Sequence, residues 1–114
     1  FHVGASLLTT NGKIYTGCNV ENAAYGPSNC AERTAIFKAV SEGDRDFSAI
    51  AIAGGAEDKN GNVQLKDYCS PCGVCRQVMA EFCNKDFKII LAKSADDYKI
   101  FTLGELLPES FSLN

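Results

Sequence analysis

Residues 48–54 read Ser48-Ala49-Ile50-Ala51-Ile52-Ala53-Gly54, and a second glycine, Gly55, follows. An unbroken run of small and β-branched apolar residues closed by a glycine pair is the pattern of a strand buried on both faces, and it predicts the centre of a sheet. Before it, from Asn29 onward, apolar spacing follows a helical period. Ala31, Ala35 and Ala39, with Thr34, Ile36, Phe37 and Val40, form faces that stop at Gly43, a residue suited to the position just past a helix end. This predicts a helix over 30–42. After it, Ser70-Pro71 supplies a good N-cap and a proline at the first helical position, and Val74, Val78, Met79 and Phe82 form a buried face, so a second helix is predicted to about Asn84.

Further out, residues 3–9 and 13–20 read as antiparallel strands joined by a two-residue type I′ turn at Asn11-Gly12. Residues 55–67 carry charge, glycine and an Asn60-Gly61 reversal, and read as a surface excursion. Phe87 to Ala92 and Tyr98 to Thr102 read as two more strands, and Leu103 to Leu107 as a helical turn ended by Pro108. The order ββαβαββ, with two β-α-β crossovers, predicts an α/β domain: a mixed five-stranded sheet with helices on both faces.

The chain has 114 residues, enough for one core, so residues 1–114 are expected to form a single domain. Apolar residues make up 46% and charged residues 22%, which separates it from disordered chains. No apolar run approaches the ~18 residues of a membrane span, and no signal-peptide pattern opens the chain. Eleven basic residues against fourteen acidic ones give a net charge of −3, and the basic residues are scattered. Neither a nucleic acid nor a membrane surface is therefore an expected partner.

Six cysteines stand beside one histidine, His2. Three disulfides would suit a short secreted scaffold with a leader, which this pattern does not resemble; clustering toward Cys69-x-x-Cys72-x-x-Cys75 fits metal or redox chemistry in a reducing, cytoplasmic setting. Cys30 opens the first predicted helix and Cys72 and Cys75 the second. If the strands that follow are parallel neighbours, both helix starts meet at one sheet edge. Three thiolates around Zn²⁺ leave a fourth position for water, the mark of a catalytic rather than a structural site. Such a centre carries net charge −1, which two helix N-termini of roughly half a positive charge each, and Arg33, can offset. Glu32, two residues past Cys30, can reach a water at the metal without being a ligand and shuttle its proton.

Each residue has a plainer reading. Glu32 stands three residues after Asn29, at capping-box spacing. Arg33 and Arg76 could be solvated charges or structural ties, His2 an exposed or stacked ring, and Cys18 and Cys83 buried small hydrophobes. Cys69 is left open, since it could close the site as a fourth ligand, although Pro71 sets it outside the helical turn.

Cys30-Ala31-Glu32, a long gap, then Pro71-Cys72-Gly73-Val74-Cys75 is the signature of zinc deaminases in their three-cysteine form. With Phe1-x-Val3-Gly4-Ala5, Gly17-Cys18-Asn19-Val20-Glu21-Asn22-Ala23-Ala24-Tyr25, Arg76-Gln77 and Glu105-Leu106-Leu107-Pro108-x-x-Phe111, the chain resembles the short, homotetrameric cytidine deaminase family over essentially its whole length. The resemblance implies a three-layer cytidine deaminase-like fold, one Zn²⁺ per chain on Cys30, Cys72 and Cys75, and Glu32 as the proton shuttle that also holds the pyrimidine N3. It implies that Asn19 and Glu21 bind the ribose hydroxyl and that the backbone near Ala31 contacts the base. Phe1 is then expected to pack near the pyrimidine, Tyr25 to lie near the site and subunit contacts, Phe111 to reach a neighbour's active site, and Arg33 to offset thiolate charge. The implied activity is hydrolytic deamination of cytidine and deoxycytidine in pyrimidine salvage.

The family's N-terminal helix has no counterpart before Phe1, so the chain is expected to lack it, and residues 55–69 are longer and more polar than the family loop. Two rivals stand beside this reading: a deaminase of blasticidin-type nucleosides, against which Asn19-x-Glu21-Asn22-Ala23 argues, and a zinc-stabilised or disulfide-bonded binding module without catalysis. A polynucleotide-editing deaminase is disfavoured by the acidic charge.

Overall fold

Alternating apolar residues lay down the first two strands of the computed structural model, which describes residues 1–24 and 28–108. Strand β1 (His2–Thr9) buries Ala5, Leu7 and Thr9 and pairs antiparallel with β2 (Ile14–Cys18), Leu7 opposite Tyr15. The turn between them has three residues rather than the expected two. The Thr9 N–H donates to the Lys13 carbonyl at 2.9 Å, the Gly12 N–H to the Thr9 carbonyl at 3.1 Å, and Gly12 takes φ +89°. The Thr9 hydroxyl also accepts from the Lys13 N–H at 2.9 Å, a bond that a tighter turn would forgo.

Along the chain follow α1 (Ala31–Ser41), β3 (Phe47–Glu57), β4 (Val63–Gln64), α2 (Gly73–Phe82), β5 (Lys88–Ala92), β6 (Tyr98–Thr102) and α3 (Leu103–Leu106). The sheet order is β2-β1-β3-β5-β6, with β4 paired to β3, so the mixed sheet has six strands where five were expected. The sixth arises because β3 runs on through Gly54 and Gly55, and the Asn60-Gly61 reversal brings the chain back beside it. Asp58 stabilises that reversal by accepting from the N–H groups of Asn60 and Asn62 at 2.8 and 2.9 Å, with Gly61 at φ +84°.

The apolar run at 48–54 lies at the centre of the sheet, between β1 and β5. Its Ile50 and Ile52 join Ala5, Leu7, Tyr15, Ile89 and Leu91 in one buried cluster with Ala31, Ala35, Ile36 and Ala39 of α1 and Cys75 and Met79 of α2. On the opposite face Ala49, Ala51, Ala53 and Ile90 are half-buried, and Leu8, Ile14 and Ile100 are exposed. Among the described residues the helices thus pack on one face, and the alanine side of β3 is less covered than the sequence pattern led one to expect.

Burial of the cysteines also departs from expectation. Cys18 is exposed because it pairs with Gly4 on the outward side of an edge strand, out of phase with the inward-facing Tyr15. Cys83 is half-buried against the core, and desolvation pushes its thiol up to about 12.

Two features fix the position of the helix starts. Strands β3 and β5 are parallel, Ile50 opposite Ile89 and Ile52 opposite Leu91. Each follows its own helix, so α1 and α2 begin at the same sheet edge. Helix α1 also lies tight on β2, where a Cβ on Gly17 would fall 2.4 Å from the Ala31 carbonyl oxygen and 2.7 Å from the Ala35 nitrogen. Only glycine permits that approach.

At the other end of β2, the Tyr15 hydroxyl donates to Asp44, which Lys13 also approaches at 3.5 Å. That bond pushes the Tyr15 phenol up to about 12 and holds Asp44 below its ordinary range. A phenol whose native pKa is raised contributes stability that is complete below pH about 10 and is lost as pH rises toward 12. Urea denaturation of the parent is therefore expected to show a falling midpoint between pH 10 and 12, and Tyr15→Phe is expected to flatten that fall. Equal slopes in the two proteins would contradict the assignment.

Candidate metal centre and substrate cavity

The two helix starts each carry a thiol as N-cap, Cys30 on α1 and Cys72 on α2. Cys72 takes the place that Ser70 was expected to hold, and Pro71 lies buried just before the helix instead of inside its first turn. The shift follows from the sulfur itself: Cys72 Sγ accepts the Cys75 N–H at 3.4 Å, satisfying one of the free donors of the first turn. Val74 correspondingly faces solvent, and Cys75 and Met79 form the buried side of α2.

Cys30 Sγ lies 3.6 Å from Cys72 Sγ, and Cys72 Sγ 3.4 Å from Cys75 Sγ. The three sulfurs all lie within 4.8 Å of one another, and Cys69 is outside that group. A trio of soft donors, one buried and two reachable, suits Zn²⁺ with one position left over. Burial, reinforced by the charge of Glu32, pushes the Cys75 thiol strongly up. Desolvation acts in the same sense on Cys72, but hydrogen bonds from Cys75 and the neighbouring sulfurs leave it below the ordinary thiol value. A divalent cation would remove the conflict by stabilising all three thiolates at once.

Arg33 Nη2 donates to Cys30 Sγ at 3.4 Å, and its hydrogen bonds to Cys30 and then Cys75 raise its pKa against the opposing effect of desolvation. Arg76 has a different task. Its Nε donates to the Pro71 carbonyl and its Nη1 to the Leu106 carbonyl, both at 2.8 Å, so it ties the approach to α2 onto α3. Glu32 is 4% exposed, in the first turn of α1. It forms no capping box, because the cap is Cys30, and Asn29 donates to the Thr34 hydroxyl at 2.9 Å.

A cavity of about 220 Å³ opens over this group. Its walls include Phe1, Asn19, Glu21, Cys30, Ala31, Glu32, Arg33, Cys69 and Cys72. A two-way backbone bridge between Val20 and Asn29, 2.8 Å each way, closes the intervening loop and brings the 19–21 stretch beside the start of α1. Asn19 is occupied on every side. Its Oδ1 accepts from the Val3 N–H at 2.9 Å, and its Nδ2 donates to the Phe1 carbonyl at 2.8 Å and to Glu21 Oε1 at 2.9 Å. Tyr25 and Phe111 lie outside the described residues. His2 pairs with Glu57 at 3.1 Å on an exposed surface and is not a member of the three-sulfur group.

Sequence reasoning missed Thr34, whose hydroxyl links Asn29 to the carbonyls of Cys18 and Cys30. It also missed Ser28, a further wall residue, whose hydroxyl accepts from the Asn22 N–H at 2.8 Å. Thr34 was read only as part of a helical face and Ser28 carries no motif signal; the bonds of both run to residues that periodicity does not bring together.

Comparison with known proteins agrees with this geometry. The family model described as the cytidine and deoxycytidylate deaminase zinc-binding region matches residues 1–91. The chain is 51% identical over 112 residues to a cytidine deaminase of Sporosarcina psychrophila, covering 98% of the chain and 76% of the relative. Against that of Halalkalibacterium halodurans the identity is 48%, covering 98% and 78%. A solved cytidine deaminase structure from Burkholderia pseudomallei superposes with a TM-score of 0.83 at 43% identity, over 97% of this chain and 82% of that one. Similarity to a blasticidin-S deaminase of Bacillus cereus is lower, 29% over 113 residues. The chain belongs to the cytidine and deoxycytidylate deaminase family.

Proposed function

We propose that this protein hydrolyses the C4 amine of cytidine and deoxycytidine, giving uridine and deoxyuridine with release of ammonia, as a cytoplasmic enzyme of pyrimidine salvage. One observation carries the reading: a buried carboxylate, Glu32, stands two residues past one thiol of a three-sulfur group and lines the same cavity. Cys30, Cys72 and Cys75 would hold one Zn²⁺ per chain, which when bound supplies a Lewis acid that makes water acidic enough to attack at neutral pH. The further chemistry belongs to the protein.

Glu32 accepts one proton of the attacking water and delivers it to the pyrimidine N3, then takes the remaining proton from the new C4 hydroxyl and delivers it to the amine, which leaves as ammonia as the C4 carbonyl forms. A single carboxylate suffices because the reaction consumes one water and needs only proton relocation between adjacent atoms. The backbone at Ala31 and the ring of Phe1 border the base, and Glu21, held by Asn19, faces the sugar. Arg33 offsets the negative charge of the sulfurs. The low similarity to a blasticidin-S deaminase and the intact Asn19–Glu21 pair favour an ordinary nucleoside.

Homo-oligomerisation, as a tetramer, belongs to the same proposal. Its support is the number of large apolar side chains left at the surface, among them Val20, Phe37 and Val74. Light scattering is expected to give four times the chain mass, and a monomer at micromolar concentration would contradict it.

Metal analysis is expected to find one zinc per chain and to lose it in Cys75→Ala. Retention of full zinc by that variant would overturn the ligand assignment. An ultraviolet assay of Glu32→Gln with cytidine and deoxycytidine is expected to show kcat reduced about 10²–10⁴-fold with zinc retained, because only the proton carrier is removed. Full turnover in that variant would refute the mechanism.

A further inference from the structure

The segment that delivers Cys72 to the metal centre is held by its side chains, with Pro71 fully buried and Tyr68 and Cys69 packed against the core. Among the described residues, 66–71 make no backbone-to-backbone hydrogen bond, so this stretch depends on its side chains and on the Arg76 bond to Pro71. Tyr68, four residues before Cys72, ties the stretch to a distant part of the sheet. Its ring is flanked by the Lys93 and Lys99 ammonium groups, 4.5 and 4.6 Å from the ring centroid, and its hydroxyl donates to Asp97 Oδ1.

All three partners stand on the β5–β6 hairpin, and the hairpin presents them in a fixed arrangement. The Lys93 N–H donates to the Asp97 carbonyl at 2.9 Å, and the Ser94 hydroxyl accepts from the N–H groups of Asp96 and Asp97 at 3.2 and 3.0 Å. Lys99 pairs with Leu91, and Lys93, just past the end of β5, lies two residues beyond Leu91, so both lysines project to the side of the sheet on which Leu91 packs under the helices. The hairpin tip thus forms a preset receptor, two cations and one acceptor, around a single aromatic ring.

We propose that Tyr68 is a positioning residue. By docking on the β5–β6 hairpin it holds the 66–72 segment, and with it the Cys72 sulfur and the Cys69–Ser70 wall of the cavity, in place for metal retention and substrate fit. Among the three thiols Cys72 is the one joined directly to this segment: α2 holds it from one side, through its bonds to the Cys75 and Arg76 N–H groups, and the 66–71 stretch from the other. Loss of the ring is expected to loosen one ligand and one wall together, much as loss of an outer hydrogen-bond partner weakens a metal site.

The proposal rests on the reading of Cys72 as a ligand, and the test separates the two. Zinc-loaded parent, Tyr68→Phe, Tyr68→Ala and the double variant Lys93→Gln/Lys99→Gln are mixed with a chromogenic chelator well below their melting temperatures, with folding checked by circular dichroism. Tyr68→Ala and the double variant are expected to release zinc about tenfold faster than the parent, and Tyr68→Phe, which keeps the ring between the lysines, within about twofold of it. In cytidine assays Tyr68→Ala is expected to raise KM more than it lowers kcat. Parental release rates in folded Tyr68→Ala and in the double variant would overturn the proposal, as would equally fast release from Tyr68→Phe and Tyr68→Ala. A parent that binds no zinc would instead overturn the ligand reading.

Discussion

The parallel pairing of β3 with β5 is the constraint on which the rest of this molecule depends. A helix that precedes each strand and packs back on the sheet must start at the edge where the strand ends, so two parallel neighbours bring two helix starts together. The N-terminal turns of α1 and α2 then present unpaired N–H groups and partial positive charge to one small volume. Three sulfurs within 4.8 Å would be a poorly favoured cluster elsewhere in a protein. Here the backbone field and Arg33 act in the same direction, and a bound soft cation would add to them.

The placement of α1 adds a second level. It is set by contact with β2 at Gly17, where no side chain fits, and by Thr34, which ties the first turn to the Cys18 carbonyl. Glu32 is buried as a consequence of that seating and not through any hydrogen-bonded cap. Its desolvated carboxylate raises the cost of a second anion at Cys75, so the acid–base group and the donor set are electrostatically linked before any ligand arrives.

What the sequence made legible is what depends on short-range period and spacing. The apolar run at 48–54, the alanine face of α1 and the alternation of β1 each specify an element locally, and their order constrains the sheet. The thiol trio was readable because Cys-x-Glu and Pro-Cys-x-x-Cys each stand at the start of a predicted helix. The cap itself was misread, since a sulfur can do what Ser70 was expected to do, and β4 was missed because two residues show no period. Cys18 could have been placed outward by extending the alternation from Tyr15 one step further. Thr34, the Val20–Asn29 bridge and the docking of Tyr68 were not readable, because each joins an irregular segment to something distant in sequence.

The saturated amide of Asn19 bears on what this corner of the cavity can select. Both its N–H groups are spent, on the Phe1 carbonyl and on Glu21, so what the Asn19–Glu21 pair still offers is acceptors, a carboxylate and one amide lone pair. A free hydroxyl, which has a proton to give, satisfies it. An esterified or phosphorylated one has lost that proton and, in the second case, brings like charge to a carboxylate, so the pair would discriminate by the direction of its hydrogen bonds rather than by size.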